Sequence, residues 1–334
     1  MSQKDLLRIA VTGASGFVGR RLVEKLTEST AVEVIGVLRQ LPVEQQPFAV
    51  VKIADLTETT DWSKLFSNTA VDVVVHCAAR VHQMNDSSED PLNEFRRVNC
   101  AGTLQLARSA AAAGVRRFVF ISSVKVMGES TLPGAPYSVN DIPKPVDPYG
   151  ISKLEAEQQL AALCQKTGME LVVIRPPLVY GPGVKANFLS MIKWVHRGIP
   201  LPLGAIHNQR SLVALDNLVD CIIKTTHHPA AAGQTFFVSD NHDVSTSNLL
   251  RGIARALGTQ PRLIPIPMAL FNHVARLLRR PAIAQRLCGS LQLDIRHTMD
   301  SLDWVPPFTF DEGLLKVAQH YQQSLAVQRS ADLK

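Results

Sequence analysis

The stretch IAVTGASGFVG, residues 9–19, decides the fold of this chain. Its first residues, Ile9 to Val11, are typical of a short apolar strand, and three glycines follow at intervals of three before a helical pattern begins. Such a turn lets the backbone approach a pyrophosphate, and the N-terminus of the helix offers free N–H groups to the phosphates. We therefore predict a dinucleotide-binding site here. Its predicted contact residues are Gly13, Ser15, Gly16, Phe17, Val18 and Gly19.

Strand and helix patterns alternate through the first half of the chain. Short runs rich in Val, Ile and Phe predict strands over 8–12, 32–38, 49–53, 72–76, 117–122 and 170–174. Helical patterns cover 17–28, 92–114 and 150–167. This alternation is typical of a parallel, doubly wound sheet with helices on both faces. We expect an α/β fold in which residues 1–175 form a Rossmann-type dinucleotide-binding domain.

The regular alternation ends near residue 176. Pro and Gly cluster at 176–183 and 198–204, and shorter elements follow. Helical patterns lie near 187–197, 215–227, 246–257, 267–280 and 311–324, with a strand at 235–239. We expect residues 176–334 to form mostly a smaller substrate-binding lobe over the carboxyl ends of the strands, with some segments returning to the sheet.

The composition argues against several other classes of protein. The chain has 334 residues, 46% of them hydrophobic, and we expect neither a signal peptide nor a membrane span, which needs about 18–20 apolar residues in a row. Its five cysteines are scattered without C-x-x-C spacing, which favours reduced thiols in the cytoplasm and no metal site. The net charge of +6 comes without a dense basic and aromatic patch, so we expect no nucleic acid partner.

The end of the second predicted strand bears on the choice of cofactor. NAD-binding proteins of this type usually carry an acid there for the ribose 2′-OH, whereas this chain has Arg39, which suits a 2′-phosphate. We therefore expect NADP(H), with NAD(H) as the alternative if Arg39 is an ordinary solvated arginine. Asp55 and Leu56, after the third strand, can reach the adenine. Ala78 and Ala79, after the fourth, are small enough for the cofactor to lie over the backbone.

A second signature consists of Ser123, Tyr149 and Lys153. Tyr149 and Lys153 are four residues apart, so on a helix their side chains share a face one turn from each other. An ammonium near a phenol favours phenolate, so we expect Lys153 to lower the tyrosine pKa from about 10 and make Tyr149 a general acid and base. Ser123, at the end of the fifth strand, can hydrogen-bond the same substrate oxygen. These three residues form the predicted catalytic group, and Tyr149 and Lys153 are also expected to contact the cofactor.

With these motifs the chain resembles the extended short-chain dehydrogenase/reductases, in particular the NAD-dependent epimerase/dehydratase family. The motifs that carry the resemblance are TGASGFVG (12–19), DL (55–56), HCAA (76–79), VNCAGT (98–103), SSVKVMG (122–128), YGISK (149–153), RPPLVYGPG (175–183), RSLVALDNLVD (210–220) and LDW (302–304). The resemblance implies a nicotinamide cofactor, hydride transfer at a sugar carbon and a nucleoside-diphosphate-sugar substrate, with UDP the expected nucleotide. It also implies a homodimer through the helices near 92–114 and 150–167.

The residues that follow Ser123 discriminate among members of this family. Nucleotide-sugar dehydratases carry Thr-Asp-Glu at this place, whereas the chain reads Ser123-Val124-Lys125, which argues against water elimination. We favour a 4-ketoreductase, because Arg39 suits NADPH. The motifs SSVKVMG and RSLVALDNLVD are similar to those of bacterial surface-polysaccharide enzymes, and this resemblance implies a UDP-4-keto-6-deoxy-N-acetylhexosamine as the substrate. A UDP-hexose or UDP-N-acetylhexosamine 4-epimerase with resident NAD is the main alternative. A non-enzymatic dinucleotide-sensing regulator and an enzyme for another small ketone are more remote ones.

The resemblance also indicates further site residues. Asn187 and Arg210 match positions that contact the nucleotide diphosphate, and the planar fork of an arginine can bind two phosphate oxygens at once. Lys125 lies two residues after the catalytic serine and is expected to face the substrate pocket. Asn99 is expected beneath the cofactor site, where it anchors local hydrogen bonds.

Overall fold

The computed structural model describes residues 6–67, 70–81, 90–268, 270, 277, 285 and 287–332. The strands in these residues are β1 Leu7–Thr12, β2 Val32–Leu38, β3 Ala49–Lys52, β4 Val73–His76, β5 Arg117–Ile121, β6 Glu170–Arg175, β7 Leu178–Tyr180, β8 Leu212–Ala214 and β9 Thr235–Phe237. Seven of them form one parallel sheet in the order β3-β2-β1-β4-β5-β6-β9.

The central strands are continuous apolar runs because helices cover both of their faces. All four residues of β4 and all five residues of β5 are buried, and separate apolar cores form on the two sides of the sheet. The strand order reverses between β1 and β4, so their carboxyl ends flank a crevice where ligands bind in such sheets. The predicted Rossmann-type α/β fold is confirmed.

The helices follow the predicted pattern, and one of them contains a π-helical segment. Their bounds are α1 Phe17–Thr27, α2 Ser63–Phe66, α3 Pro91–Phe95, α4 Thr103–Ala112, α5 Pro148–Thr167, α6 Ala186–His196, α7 Leu215–His227, α8 Thr246–Ala256, α9 Arg296–Leu302 and α10 Phe310–Asp332. The helix predicted over 92–114 is continuous from α3 to α4, but its middle part, Arg96–Gly102, is π-helical, a feature that often marks functional sites. The helix predicted over 267–280 lies almost entirely outside the described residues.

A further apolar core forms from the segments that follow β6. Helices α6, α8 and α10 pack around it, together with the two-stranded sheet of β7 and β8. Among its buried side chains are Tyr180, Phe188 and Leu250. Strand β9 instead extends the main sheet beside β6. Because β7 begins three residues after β6 ends, this part of the chain is attached at the carboxyl end of β6.

Three properties of the composition can be compared with the structure. All five cysteines are free thiols. In the described part of the chain, no helix is both long enough and apolar enough to cross a membrane. Over the same residues, no three His, Cys, Asp or Glu side chains are grouped so that they could hold a metal ion.

Candidate active site

Glycines close the turn after β1 tightly. Gly13 has a φ of +67°, and a Cβ there would lie 2.8 Å from the backbone nitrogen of Ala78. A Cβ at Gly19 would lie 2.2 Å from the carbonyl oxygen of Gly13, which also accepts a hydrogen bond of 2.8 Å from the N–H of Gly16. Both Cβ distances are shorter than a van der Waals contact, so the turn requires glycine at positions 13 and 19.

Helix α1 begins directly behind this turn with uncapped N–H groups. Its N-cap, Gly16, offers no side-chain hydrogen bond, and the first turn holds no acidic residue. The aligned peptide dipoles leave partial positive charge at this end of the helix, which attracts an anion. Ser15 is exposed, and Phe17 and Val18 are half-buried. The residues of the turn therefore fit the pyrophosphate of a dinucleotide.

At the predicted adenosine contact, two arginines from different parts of the chain lie near one carboxylate. Arg39 follows β2 with its side chain 74% exposed, and its Nη1 lies 3.9 Å from Oδ1 of Asp55. Arg97, which the motifs did not single out, places its Nη1 3.5 Å from the other oxygen of Asp55. Leu56 is buried, and a Cβ at Gly102 would lie 2.9 Å from it. This packing fixes the loop that carries Asp55.

Buried hydrogen bonds join the carboxyl ends of β1 and β4. Thr12 Oγ1 lies 2.7 Å from Nδ1 of His76, whose Nε2 lies 2.8 Å from Thr103 Oγ1. Burial lowers the pKa of His76 to about 3, which keeps its imidazole neutral. The N–H of Ala78 donates to Thr12 Oγ1 over 3.3 Å. The loop with Ala78 and Ala79 is thereby held beside the glycine turn.

Asn99 lies in the π-helical segment and connects two parts of the site. Its Oδ1 accepts a hydrogen bond from the N–H of Arg80 (2.8 Å), and its Nδ2 donates to the carbonyl of Arg80 (3.0 Å). The same Nδ2 donates to Ser152 Oγ (3.1 Å), and Ser152 donates to the carbonyl of Tyr149 (2.8 Å). Asn99 therefore ties the loop after β4 to the first turn of α5.

Ser123 and Tyr149 meet at the carboxyl end of β5. The Ser123 hydroxyl accepts a hydrogen bond of 3.2 Å from the N–H of Lys125 and is also hydrogen-bonded to the phenol of Tyr149. Tyr149 is half-buried, with the ring of Phe95 packed edge-on at a centroid distance of 6.0 Å. Burial raises the pKa of Tyr149 to about 12, while the bond to Ser123 acts in the opposite direction.

Lys153 lies one turn further along α5 and is 2% exposed. Its Nζ donates a hydrogen bond of 2.7 Å to the carbonyl of Ile121 and lies 4.3 Å from the centre of the Phe120 ring. Burial lowers the pKa of Lys153 to about 8. We expected Lys153 to lower the pKa of Tyr149, but the shift in this structure has the opposite sign. The physical reason is that burial of the phenol, together with the nearby charge of Asp147, outweighs the effect of Ser123 on the pKa.

The model of the NAD dependent epimerase/dehydratase family matches residues 9–238. The chain belongs to this family. It is an oxidoreductase-type enzyme with a nucleotide-sugar epimerase/dehydratase type of function.

Individual members of the family are similar over almost the whole chain. A UDP-glucose 4-epimerase from Vibrio cholerae is 46% identical over 317 residues, which cover 95% of this chain and 96% of the relative. The structure of a UDP-glucose 4-epimerase from Thermotoga maritima with UDP-glucose has a TM-score of 0.77 at 23% identity, covering 95% of this chain and 99% of that one. The UDP-glucuronic acid 4-epimerase from Bacillus cereus in complex with NAD has a TM-score of 0.75 at 21% identity, covering 95% and 97%.

Lys125, which is predicted to contact substrate, is paired with two carboxylates beside the start of α5. Its Nζ lies 3.1 Å from a carboxylate oxygen of Glu129 and 2.9 Å from Oδ2 of Asp147. Asp147 is the N-cap of α5, and its Oδ1 accepts a hydrogen bond of 2.6 Å from the N–H of Gly150. The ammonium is therefore engaged by two carboxylates, and it steadies the cap of the helix that carries Tyr149.

Asn187 and Arg210, the predicted diphosphate contacts, lie in different segments of the chain. Asn187 is exposed in the first turn of α6. Arg210 is half-buried, with Nη1 donating a hydrogen bond of 3.2 Å to the carbonyl of Gly289. Burial lowers the pKa of Arg210. A half-buried guanidinium can gain charge-assisted hydrogen bonds from a phosphate, which is consistent with the predicted role.

We expect Asp147→Ala to destabilise the protein by about 0.5–2 kcal/mol, because the side-chain cap of α5 is lost. Chemical denaturation measures this change. Asp300→Ala, at an exposed position within α9, serves as the control and should leave stability within about 0.5 kcal/mol of the parent. Equal losses in the two variants would show that the cap contributes nothing.

Sequence analysis assigned no role to several residues that shape this site, although some of them lie within the quoted motifs. They are Thr12, His76, Arg97, Ser152, Glu157 and Arg175. Of these, Glu157 had a usable signal, because it follows Lys153 by four residues and so lies on the same face of the helix. The partners of the others come from distant segments and have no local signature.

Proposed function

We propose that this enzyme is a UDP-sugar 4-epimerase that keeps NAD bound throughout the reaction. The observation that carries the proposal is the 46% identity to a UDP-glucose 4-epimerase over 95% of this chain. The glycine turn and the uncapped α1 N-terminus support it, because they suit a tightly held dinucleotide.

The catalytic group of Ser123, Tyr149 and Lys153 supports one proton carrier at the C4 oxygen of the sugar. Ser123 holds that oxygen beside the phenol, and Tyr149 takes the hydroxyl proton and later returns it. Lys153 would hold the ribose next to the nicotinamide. NAD, when bound, would supply the hydride acceptor, and its cationic ring would favour the phenolate form of a neighbouring tyrosine. The keto sugar rotates within the site before the proton and the hydride return to it, so the net reaction consumes no reductant.

Epimerisation at C4 needs no acid or base beyond this group. Val124 is buried and apolar, and Lys125 is paired with Glu129 and Asp147. Neither position offers the free carboxylate that water elimination requires. This arrangement supports an epimerase or a reductase over a dehydratase.

The proposal extends to the substrate contacts, the assembly and the compartment. Asn187 and Arg210 are the proposed contacts of the UDP diphosphate. We also propose a cytoplasmic homodimer that pairs α4 and α5 with their counterparts. The face of α5 available for this is polar and small, with Gln158, Gln159 and Ala162 exposed.

A 4-ketoreductase that uses NADPH is the second candidate, and Arg39 favours it. The exposed guanidinium follows β2, where a 2′-phosphate is bound in such folds. Arg97 adds a second cation nearby. Asp55, which both arginines contact, offsets part of this positive charge. The substrate of this candidate is a UDP-4-keto-6-deoxy-N-acetylhexosamine destined for surface polysaccharide.

One assay distinguishes the two candidates. Purified protein without added cofactor should interconvert UDP-glucose and UDP-galactose, and acid denaturation should release NAD. Light scattering on the same sample should give twice the mass of one chain. The epimerase proposal fails if neither UDP-glucose nor UDP-N-acetylglucosamine is converted while NADPH is consumed stoichiometrically with the 4-keto sugar. That result would establish the ketoreductase and the role of Arg39.

A further inference from the structure

A buried ion cluster lies behind the catalytic lysine. Tyr149, Lys153 and Glu157 follow one another at intervals of four residues along α5, so their side chains share one face of the helix. Lys153 is 2% exposed and Glu157 is 6% exposed. Burial of either charge alone is costly, which means that each needs compensation inside the protein.

The compensation for Glu157 comes from β6 and from the residue after β5. Arg175 binds its carboxylate with both arms, Nε to Oε1 at 3.0 Å and Nη2 to Oε2 at 2.6 Å. Ser122 Oγ donates to Oε1 at 2.5 Å. The third arginine nitrogen, Nη1, lies 3.2 Å from the sulfur of Met127. Arg175 and Ser122 together hold both oxygens of the Glu157 carboxylate.

The ammonium of Lys153 is oriented differently. Its hydrogen bond goes to the carbonyl of Ile121, and its charge lies over the ring of Phe120. Glu157 is one helical turn away, a spacing at which lysine and glutamate readily form a direct ion pair. Such a pair would pull the ammonium toward Glu157 and away from the carbonyl of Ile121 and the ring of Phe120. The bidentate salt bridge between Arg175 and Glu157 opposes this movement.

We propose that Glu157 and Arg175 are positioning residues for Lys153. Glu157 keeps the buried ammonium charged from a distance, and Arg175 prevents the carboxylate from drawing it out of place. The proposal rests on the catalytic role assigned to Lys153 above, since it explains how that ammonium stays protonated and stays bonded to the carbonyl of Ile121.

The charged and titratable groups around Lys153 agree with this assignment. On α5 they are Glu157 and Tyr149, and from the end of β4 they are His76 and Cys77. His76 is neutral, and burial raises the pKa of the Cys77 thiol to about 12, so neither carries charge near neutral pH. Arg175, from β6, is cationic and neutralised by Glu157. Burial lowers the pKa of Lys153 to about 8, and Glu157 opposes that shift.

NMR titration of lysine Cε resonances in the intact protein tests the proposal without substrate. The Lys153 signal is assigned by its loss in Lys153→Met. Glu157→Gln should lower the Lys153 titration midpoint by at least about one pH unit, since an opposing charge is removed. Glu155→Gln is the matched control, because Glu155 also lies in α5 but pairs with Arg96 near the protein surface. It should leave the midpoint unchanged.

The pH dependence of turnover gives a second readout. Lys153 must be protonated to act, so a lower midpoint moves the alkaline limb of the kcat profile to lower pH in Glu157→Gln and leaves it in place in Glu155→Gln. A purely structural role would lower the melting temperature without moving either titration, and that result overturns the proposal. If the protein proves not to be an epimerase, the NMR result still stands by itself.

Two more variants keep the test decisive if Glu157→Gln does not fold. The double variant Glu157→Gln/Arg175→Met removes both charges together, which avoids leaving one of them buried and unpaired. It should give a Lys153 midpoint below that of the parent but above that of Glu157→Gln, in which Arg175 is left without its counter-charge. Glu157→Asp keeps the charge and should titrate close to the parent. A parental midpoint in the double variant would sink the proposal.

Discussion

Tyr149→Phe should lower the rate of UDP-glucose epimerisation by about 10²–10⁴-fold, the range typical for loss of a general acid and base. The ring and its packing against Phe95 remain, so the fold and NAD binding should be retained. The measurements are kcat with UDP-glucose and the NAD content of the purified variant.

The matched control removes the hydroxyl group of a different tyrosine. Tyr321→Phe alters a half-buried tyrosine in α10 that packs against His196, outside the catalytic group. Its kcat should stay within about twofold of the parent, a change of less than half a kcal/mol. If Tyr149→Phe kept more than a tenth of the parental kcat, another group would have to carry the proton. Ser123, which is hydrogen-bonded to Tyr149, would be the first residue to test.

Gly13→Ala should weaken NAD binding by up to about a hundredfold and destabilise the protein by about 1–3 kcal/mol beyond the backbone strain. The physical reason is the wall formed by Ala78, since the new Cβ would lie 2.8 Å from its backbone nitrogen. The alanine can be accommodated only if the turn moves away from the loop after β4. That movement displaces the N–H groups that face the pyrophosphate. Isothermal titration with NAD and denaturant unfolding measure the two effects.

Gly114→Ala is the control for backbone strain. Gly114 has a φ of +78°, close to the +67° of Gly13, yet a Cβ there meets nothing within 4 Å. Both variants therefore place a side chain on a left-handed backbone, which costs about 1–2 kcal/mol of stability in each, and only Gly13→Ala adds the steric clash. Equal stabilities and an unchanged NAD affinity in the two variants would show that the turn adapts to a side chain.

The strand and turn that open the fold could be predicted because their signals are local. An apolar run followed by glycines at positions 13, 16 and 19 specifies a strand and a tight turn without reference to the rest of the chain. The π-helical segment inside the helix predicted over 92–114 could not be predicted from such local signals. This segment places Asn99 against the backbone of Arg80, and the hydrogen bonds involved join residues 19 positions apart.

Charges near the site were harder to interpret from the sequence. Lys125 is predicted to contact substrate, and nothing adjacent in the chain shows that Asp147, 22 positions later, pairs with it. The sign of the Tyr149 pKa shift was wrong because spacing on a helix indicates proximity to Lys153 but not the degree of burial. In the folded protein, desolvation is the larger effect.

The sequence by itself determined the α/β architecture, and it predicts a dinucleotide site after β1 and a catalytic group of Ser123, Tyr149 and Lys153, since periodicity and spacing are properties of neighbouring residues. Only the tertiary structure decided which charges meet. The pair of Glu157 with Arg175 and the pairing of Asp55 with both Arg39 and Arg97 arise where the sheet brings distant segments together. Burial then sets the strength and sign of their effects, because the cost of a charge depends on the solvent that the whole fold excludes.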